Sequence, residues 1–415
     1  MSEHERLPDP ELFTNGPLRL AARLFRAGDL RADPAQHNRL RRFAQADDPL
    51  ADGLVEMIKS MPRGAGRALF EQALEGGIES VEDPSEALTD FFRDVETTPY
   101  WVDFDRIDRG ARSITRTGLL GMFPLGDMSL MGGYLASRAV KTLIGTGDLE
   151  HAAARRLAET ASWWIDITTP GSLRPGGEGV RSALRIRLVH AYVRDAMNHR
   201  DDWDYDAWDR PVNQVQTAGT LLLFSHVFLL GTQALGIRYS QQEREDVMHL
   251  WRYVGWLMGV DDELLPGNEA DAWRLLWLLA ATEFIPDEDS KRLAGALLTQ
   301  NANIGRGLGP LSGVVGSASV SLHAAISRLL IGKSNADFLE LPNNPLTTAA
   351  VFGIAAVNFA AETARMRLPG ATLVQQKVGA FARSRYLAQV SKFLDVDRGY
   401  SRPLTRTSSR TEGAA

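Results

Sequence analysis

The chain contains no cysteine, and that absence removes several chemistries together. Disulfides, thiolate-ligated haem, iron–sulfur clusters, zinc ribbons, covalent c-type haem attachment and cysteine nucleophiles all need a sulfur that is not there. Any metal centre has to be built from His, carboxylate, Lys or Tyr. A surplus of positive charge is also lacking. The 46 Lys and Arg face 52 Asp and Glu, a formal net charge of −6, which argues against nucleic acid as the main partner. The stretch Met1–Asp29 has no basic segment leading into an apolar core, and the twin arginine Arg41-Arg42 runs into Phe-Ala-Gln-Ala-Asp-Asp. A cytoplasmic location is therefore the expectation.

Period-two alternation is almost absent, and neither a βαβ rhythm nor an internal repeat is present. Apolar residues instead recur at three- and four-residue spacing, as in Leu54, Met57, Ile58, Met61 and Leu69, Phe70, Ala73, Leu74, the period of a helix. No composition break resembles a linker. The pattern predicts an all-α protein with one large helical domain over 37–400, an N-terminal arm over 1–36 and a disordered tail over 401–415. Helices are expected at Val180–Asn198, Val247–Met258 (behind the capping box Ser240-Gln-Gln-Glu243), Glu269–Glu283, Asp287–Leu298, Val314–Ile331, Thr347–Arg367 and Leu373–Val390. The Gly/Pro-rich run Pro170–Gly179 is the clearest loop.

Between Arg210 and Arg238 no residue is formally charged, a length that could span a membrane. Polar residues such as Asn213, Gln214, Ser225 and His226 interrupt it, and Gly307–Ser327 and Leu341–Ala361 are broken in the same way. The reading is buried central helices rather than membrane spans.

Familiar site motifs are missing too. Gly332-Lys333-Ser334 lacks both the first glycine and the preceding strand of a phosphate-binding loop, and Gly305-Arg-Gly-Leu-Gly309 lacks the spacing of a dinucleotide fingerprint. No glutamate is followed three residues later by histidine, as a helical di-iron site requires, and no His-Glu-x-x-His occurs.

Eight histidines remain. His4, His37, His151, His199 and His249 lie in polar segments or at helix ends and read as surface residues. His226 and His323 lie in charge-free helices and read as core residues. His190 differs in its neighbours. In Arg185-Ile-Arg187-Leu-Val-His190-Ala-Tyr-Val-Arg194, residues 187, 190 and 194 share one helical face. A solvated basic stripe is the simpler reading of that pattern. The functional reading is a metal ligand flanked by two guanidinium groups able to pair with a cofactor's carboxylates. A second one-face group is Arg138, Lys141 and Thr142, at i, i+3 and i+4.

Together these segments resemble the latex-clearing, or rubber oxygenase, catalytic-domain family, which includes the mycophenolic-acid-pathway oxygenase. The likeness runs from about Phe92 to Pro342 through Arg138-x-x-Lys141-Thr142, the Leu184–Arg194 segment, Trp208-Asp-Arg-Pro-Val-Asn213-Gln214, Leu250–Val260 with Glu263-Leu-Leu-Pro266, and Arg328-Leu-Leu-Ile-Gly332. The resemblance implies a non-covalent b-type haem in a globin-like helical core, with His190 as proximal iron ligand. It implies Lys141 as a distal lysine able to occupy the sixth position, its amine neutral because it is buried beside Arg138. Arg138 and Thr142 match distal-pocket positions, and Arg187, Arg194 and Arg328 match propionate partners or supports. The implied chemistry is oxidative cleavage of a carbon–carbon double bond in a lipophilic, isoprenoid-like substrate by dioxygen. Met128, Leu130, Met131, Phe224 and Phe228 are candidates for the apolar pocket.

There is one departure in the site. Rubber-degrading members carry a distal glutamate, whereas no glutamate lies here between Glu96 and Glu150; Met122 falls near its place and Asp127 is the nearest acid. A haem-binding sensor or carrier without turnover, and a cofactor-free helical protein binding a hydrophobic small molecule, therefore remain as alternatives. The oligomeric state is open.

Overall fold

A computed structural model describes residues 16–145, 153–303 and 311–393 together with Arg6 and Pro10, the side chains of 153–156 and 390–393 excepted. Among these residues the regular structure is helical throughout, as the periodicity predicts. The N-terminal helices are α1 (Pro17–Leu24), α2 (Pro34–Phe43), α3 (Pro49–Ser60), α4 (Ala65–Gly76), α5 (Glu86–Glu96) and α6 (Phe104–Thr115). The centre is α7 (Ser137–Gly145), α8 (Ala153–Ile167), α9 (Glu178–Asn198), α10 (Gln214–Phe224), α11 (His226–Ala234) and α12 (Gln241–Leu257). There follow α13 (Glu269–Thr282), α14 (Glu288–Ala302), α15 (Ser312–Ile331), α16 (Lys333–Phe338), α17 (Pro345–Arg365) and α18 (Ala371–Phe393). Part of the expected 1–36 arm and all of the 401–415 tail lie outside the described residues, as do Gly305–Gly309. Gly332 joins two helices with φ 87° and has no strand before it.

Local chemistry explains the boundaries. Asp33, Asp48, Ser85 and Asn268 cap their helices by accepting backbone N–H groups, which satisfies donors a helix start leaves free. The capping box at Ser240 forms in both directions: Ser240 Oγ accepts from Glu243 N at 3.1 Å, and Glu243 Oε2 accepts from Ser240 N at 2.7 Å. The long apolar stretch is not one rod. It breaks at Ser225, whose hydroxyl donates to Leu221 O at 2.8 Å.

The core fills the space between α6, α8, α9, α10, α11 and α12. Trp164, Trp251, Phe228 and Ile114 are among its fully buried side chains. The chain from Arg112 to Leu143 is broken, with a π-helical turn at Leu125–Leu130 ahead of α7. The three charge-free stretches do not share one fate. Burial covers 78% of the most apolar window in Gln214–Ala234, but only 39% in Ser312–Ile331 and 11% in Pro345–Arg365. The last is therefore not the buried central helix its composition suggests.

Candidate functional site

Helix α9 emerges from the Pro170–Gly177 loop and packs along α3 and α8. Its arginines are not a solvated stripe. Arg187 is buried and binds Asp48 through Nε to Oδ2 at 2.7 Å and Nη2 to Oδ1 at 2.9 Å, with its guanidinium 5.0 Å from the Phe91 ring centre. Arg194, two turns on, donates to Asp52 at 2.8 Å and to Val212 O at 2.8 Å. Arg185 reaches Glu71 on α4 at 2.8 Å. These pairs clamp α9 to α3 and α4. Arg187 and Arg194 thus spend their forks on protein carboxylates, as supports of the helix would. Arg328 is likewise committed, to Asp337 and to Leu341 O.

Between Arg187 and Arg194 stands His190. Burial, reinforced by the Arg194 charge, pushes its pKa down to about 4, so the ring is neutral at pH 7. Among the described residues neither ring nitrogen has a hydrogen-bond partner, yet part of the side chain stays accessible. A neutral imidazole with an uncommitted lone pair is what a metal ligand requires, so the residues present fit an iron bound at this position.

The other histidines are accounted for differently. His249, read as a surface residue, is in fact buried: it accepts from Asp103 N at 3.0 Å and meets Trp101 edge-on. His199 stays exposed and bonds Asp195 O. His226 is fully buried, its ring centre 4.5 Å from that of Trp273, and neither nitrogen has a partner. His4 and His151 lie outside the described residues.

The Arg138/Lys141/Thr142 face of α7 points elsewhere. Lys141 Nζ sits 2.6 Å from Asp287 and 2.5 Å from Asp289, at the start of α14. Burial lowers its pKa, but hydrogen bonds to Asp287 and Asp289 outweigh that and raise it. The expectation of a neutral amine is thereby corrected: two carboxylates keep the proton on, and a protonated amine has no lone pair for iron. Arg138 lies 3.3 Å from Asp209 and donates to Thr282 O and Ala207 O. Thr142 donates to Ala139 O within its own helix.

Three elements meet in an aromatic cluster. Trp163 of α8, Phe224 of α10 and Trp251 of α12 have ring centres 5.6, 6.0 and 6.3 Å apart, and Trp164 packs on Phe228 at 5.1 Å. The indole N–H groups of Trp163, Trp164 and Trp251 are buried without acceptors, which is costly in a sealed core. Of the pocket candidates, Phe224 and Phe228 belong to this cluster, whereas Met128, Leu130 and Met131 pack around the π-helical turn.

One pairing escaped the sequence reading. Asp127, buried in the π-helical turn, has both carboxylate oxygens 2.9 Å from Nδ1 of His323 on α15. Burial raises the Asp127 pKa to about 6 against the pull of His323. The signal was present as an isolated acid and an isolated histidine in apolar segments, but 196 residues separate them. A second missed group is Glu283. It is buried with neither oxygen accepting a hydrogen bond, 3.6 Å from Arg41 and 3.9 Å from Arg138, and burial raises its pKa.

Residues 115–362 match the family model described as "ER-bound oxygenase mpaB/B'/Rubber oxygenase, catalytic domain". A rubber oxygenase from Streptomyces sp. (strain K30) is 27% identical over 204 residues, 48% of this chain. The chain spans about half the length of that curated relative, since the match covers 47% of it. A solved structure of latex clearing protein in the closed state superposes with a TM-score of 0.61 at 19% identity, covering 83% of this chain and 91% of that one. That likeness establishes the all-helical fold.

Proposed function

The chain belongs to the mpaB/rubber oxygenase catalytic-domain family, and from that premise we propose that it is a haem b oxygenase. In this reading it cleaves a carbon–carbon double bond of a lipophilic, isoprenoid-like substrate, within a globin-like helical core. The observation that carries the reading is His190: neutral, without a hydrogen-bond partner and still partly accessible in an otherwise dense setting. His190 would hold the iron, and the bound haem would supply the redox chemistry for dioxygen.

The protein's own residues do the rest. The Arg187–Asp48 and Arg194–Asp52 pairs fix the rotation of α9 and hence the aim of the His190 ring. Trp163, Phe224 and Trp251 offer an apolar wall suited to an alkene and exclude water. Asp127 and His323 are the acid–base pair available where the family glutamate is missing. Asp127 holds Nδ1, so a proton can be accepted or returned at Nε2 of the half-buried ring. Arg187, Arg194 and Lys141 have carboxylate partners already, so this reading does not require them to touch the cofactor.

The test is an absorption spectrum of the full chain purified with haem, followed by oxygen uptake with an unsaturated isoprenoid and detection of carbonyl products. A Soret band and carbonyl-forming uptake are expected. A chain that takes up no haem overturns the proposal, and haem without oxygen uptake reduces it to a sensor or carrier.

A further inference from the structure

The C-terminal hairpin α17–α18 has two unlike faces. One side is tied to the body. On α17, Asn358 donates to Leu235 O at 2.9 Å, Ala355 O lies against Gly236, and Glu362 pairs with Arg116 at 2.7 Å. On α18, Gly379 lies against Thr115 O, and Arg383 donates to Thr115 Oγ1 at 3.0 Å. These positions (355, 358 and 362; 379 and 383) fall at helical spacing and define one inward stripe per helix.

The other side is apolar and uncovered. Leu346, Phe352 and Val357 of α17, Leu368 in the turn, and Val374 and Phe381 of α18 are all more than half exposed. No formal charge occurs from Pro345 to Ala361, and α17 is long and apolar enough to match the hydrocarbon of a bilayer. Exposed apolar side chains gathered on one hairpin mark an interaction surface.

Charge selects the occupant. Glu362 is the sole carboxylate from 345 to 393, and it is buried in ion pairs with Arg116 and Arg365. Among the described side chains the exposed charges of the hairpin are Arg367, Lys377 and Arg385, all cationic on a chain of net charge −6. An apolar face interspersed with cations complements an anionic lipid surface, whereas two copies of it would set like charges against each other. A spanning orientation conflicts with the inward stripe, because Asn358 and Glu362 tie the C-terminal half of α17 to the body.

We propose that the outer face of the α17–α18 hairpin docks in the plane of an anionic lipid bilayer. This goes beyond the oxygenase reading and stands or falls separately, since haem binding at His190 does not depend on it.

The experiment is co-flotation of the full chain with phosphatidylglycerol-containing vesicles and with pure phosphatidylcholine vesicles. The wild-type chain should float with the anionic vesicles and much less with the neutral ones. The doubly substituted Phe352→Asp/Phe381→Asp chain changes only exposed residues and should partition about tenfold or more weakly while keeping its circular dichroism. Lys377→Glu/Arg385→Glu should lose the preference for anionic lipid. The proposal is overturned if the wild type stays at the bottom with both vesicle types, if lipid charge makes no difference, or if the Asp variant floats equally well. It is also overturned if the wild type is a dimer that the Asp variant converts to monomer, since a second copy then covers the face.

Discussion

Arg187 grips Asp48 through two parallel hydrogen bonds, and Gly259 closes over the pair with a positive φ of 75°. A Cβ at Gly259 would stand 2.4 Å from Asp48 Oδ2 and 2.6 Å from Arg187 Nε. Asp48 also caps α3 by accepting from Ala51 N. Three segments far apart in sequence therefore meet on one ion pair, a turn of helix away from His190.

Removing one partner of such a buried pair strands the other charge. Arg187→Ala should destabilise the chain by about 3–5 kcal/mol, and Asp48→Asn by less, because the amide oxygen can still cap α3. Denaturant midpoints for both single variants and the double variant check this. The double should cost clearly less than the sum, because neither charge is then left alone; strict additivity would contradict the pairing.

His226 offers a pH signature. Burial pushes its pKa down to about 3, against 6.5 for the ordinary side chain. A depressed histidine leaves the unfolded chain binding the extra proton first. Its contribution to stability is therefore complete above about pH 6.5 and lost as the pH falls toward 3. His226→Leu should flatten the stability-versus-pH slope in that window by one proton. It should also stabilise the chain at pH 7 by about 1–3 kcal/mol, because both ring nitrogens are buried without partners. Thermal or urea unfolding from pH 4 to 7.5 measures both. Loss of haem in this variant would instead move the ligand assignment away from His190.

The helical fold was legible because local signals carry it: apolar periodicity, capping residues and the Ser240 box each act within a few residues. The site was legible only in part. His190 could be singled out, but the partners of its neighbouring arginines could not, since Asp48 lies 139 residues before Arg187 and only the folded chain brings them together. The Asp127–His323 pair was hidden for the same reason. Composition also could not separate α10 from α17. Both are long apolar runs, uncharged throughout α10 and up to Ala361 in α17, and what differs is whether neighbouring helices cover them, a property of the assembly rather than of either segment.

The resemblance matches His190 and Lys141 to iron ligands, and the structure gives them opposite environments. His190→Ala should abolish the Soret band after haem supplementation. Lys141→Ala should keep haem, because the amine is protonated and held by Asp287 and Asp289. It should cost about 1 kcal/mol or less in stability, as partly exposed ion pairs do. Titrating haem into both variants and following the spectrum decides the point; comparable haem retention in the two would refute the assignment of His190.

Glu362 anchors the C-terminal hairpin, and its chemistry predicts how the hairpin detaches. Burial alone would raise its pKa, but Arg116, Gln375, the Arg238 amide and Arg365 outweigh it and hold the carboxyl below the usual glutamate value. A depressed carboxylate contributes stability that is present above its unfolded pKa, about 4.3, and lost as the pH falls through the folded value. Glu362→Gln removes the same contribution at neutral pH and leaves the guanidinium of Arg116, whose side chain is fully buried, short of a partner. The expected cost is about 3 kcal/mol, concentrated in α17 and α18 rather than spread over the core. Limited proteolysis should then cut preferentially within 345–393 at pH 7, while the haem uptake proposed at His190 stays unchanged. Cleavage distributed evenly along the chain would show that the hairpin unfolds only with the whole domain and that Glu362 is not its separate anchor.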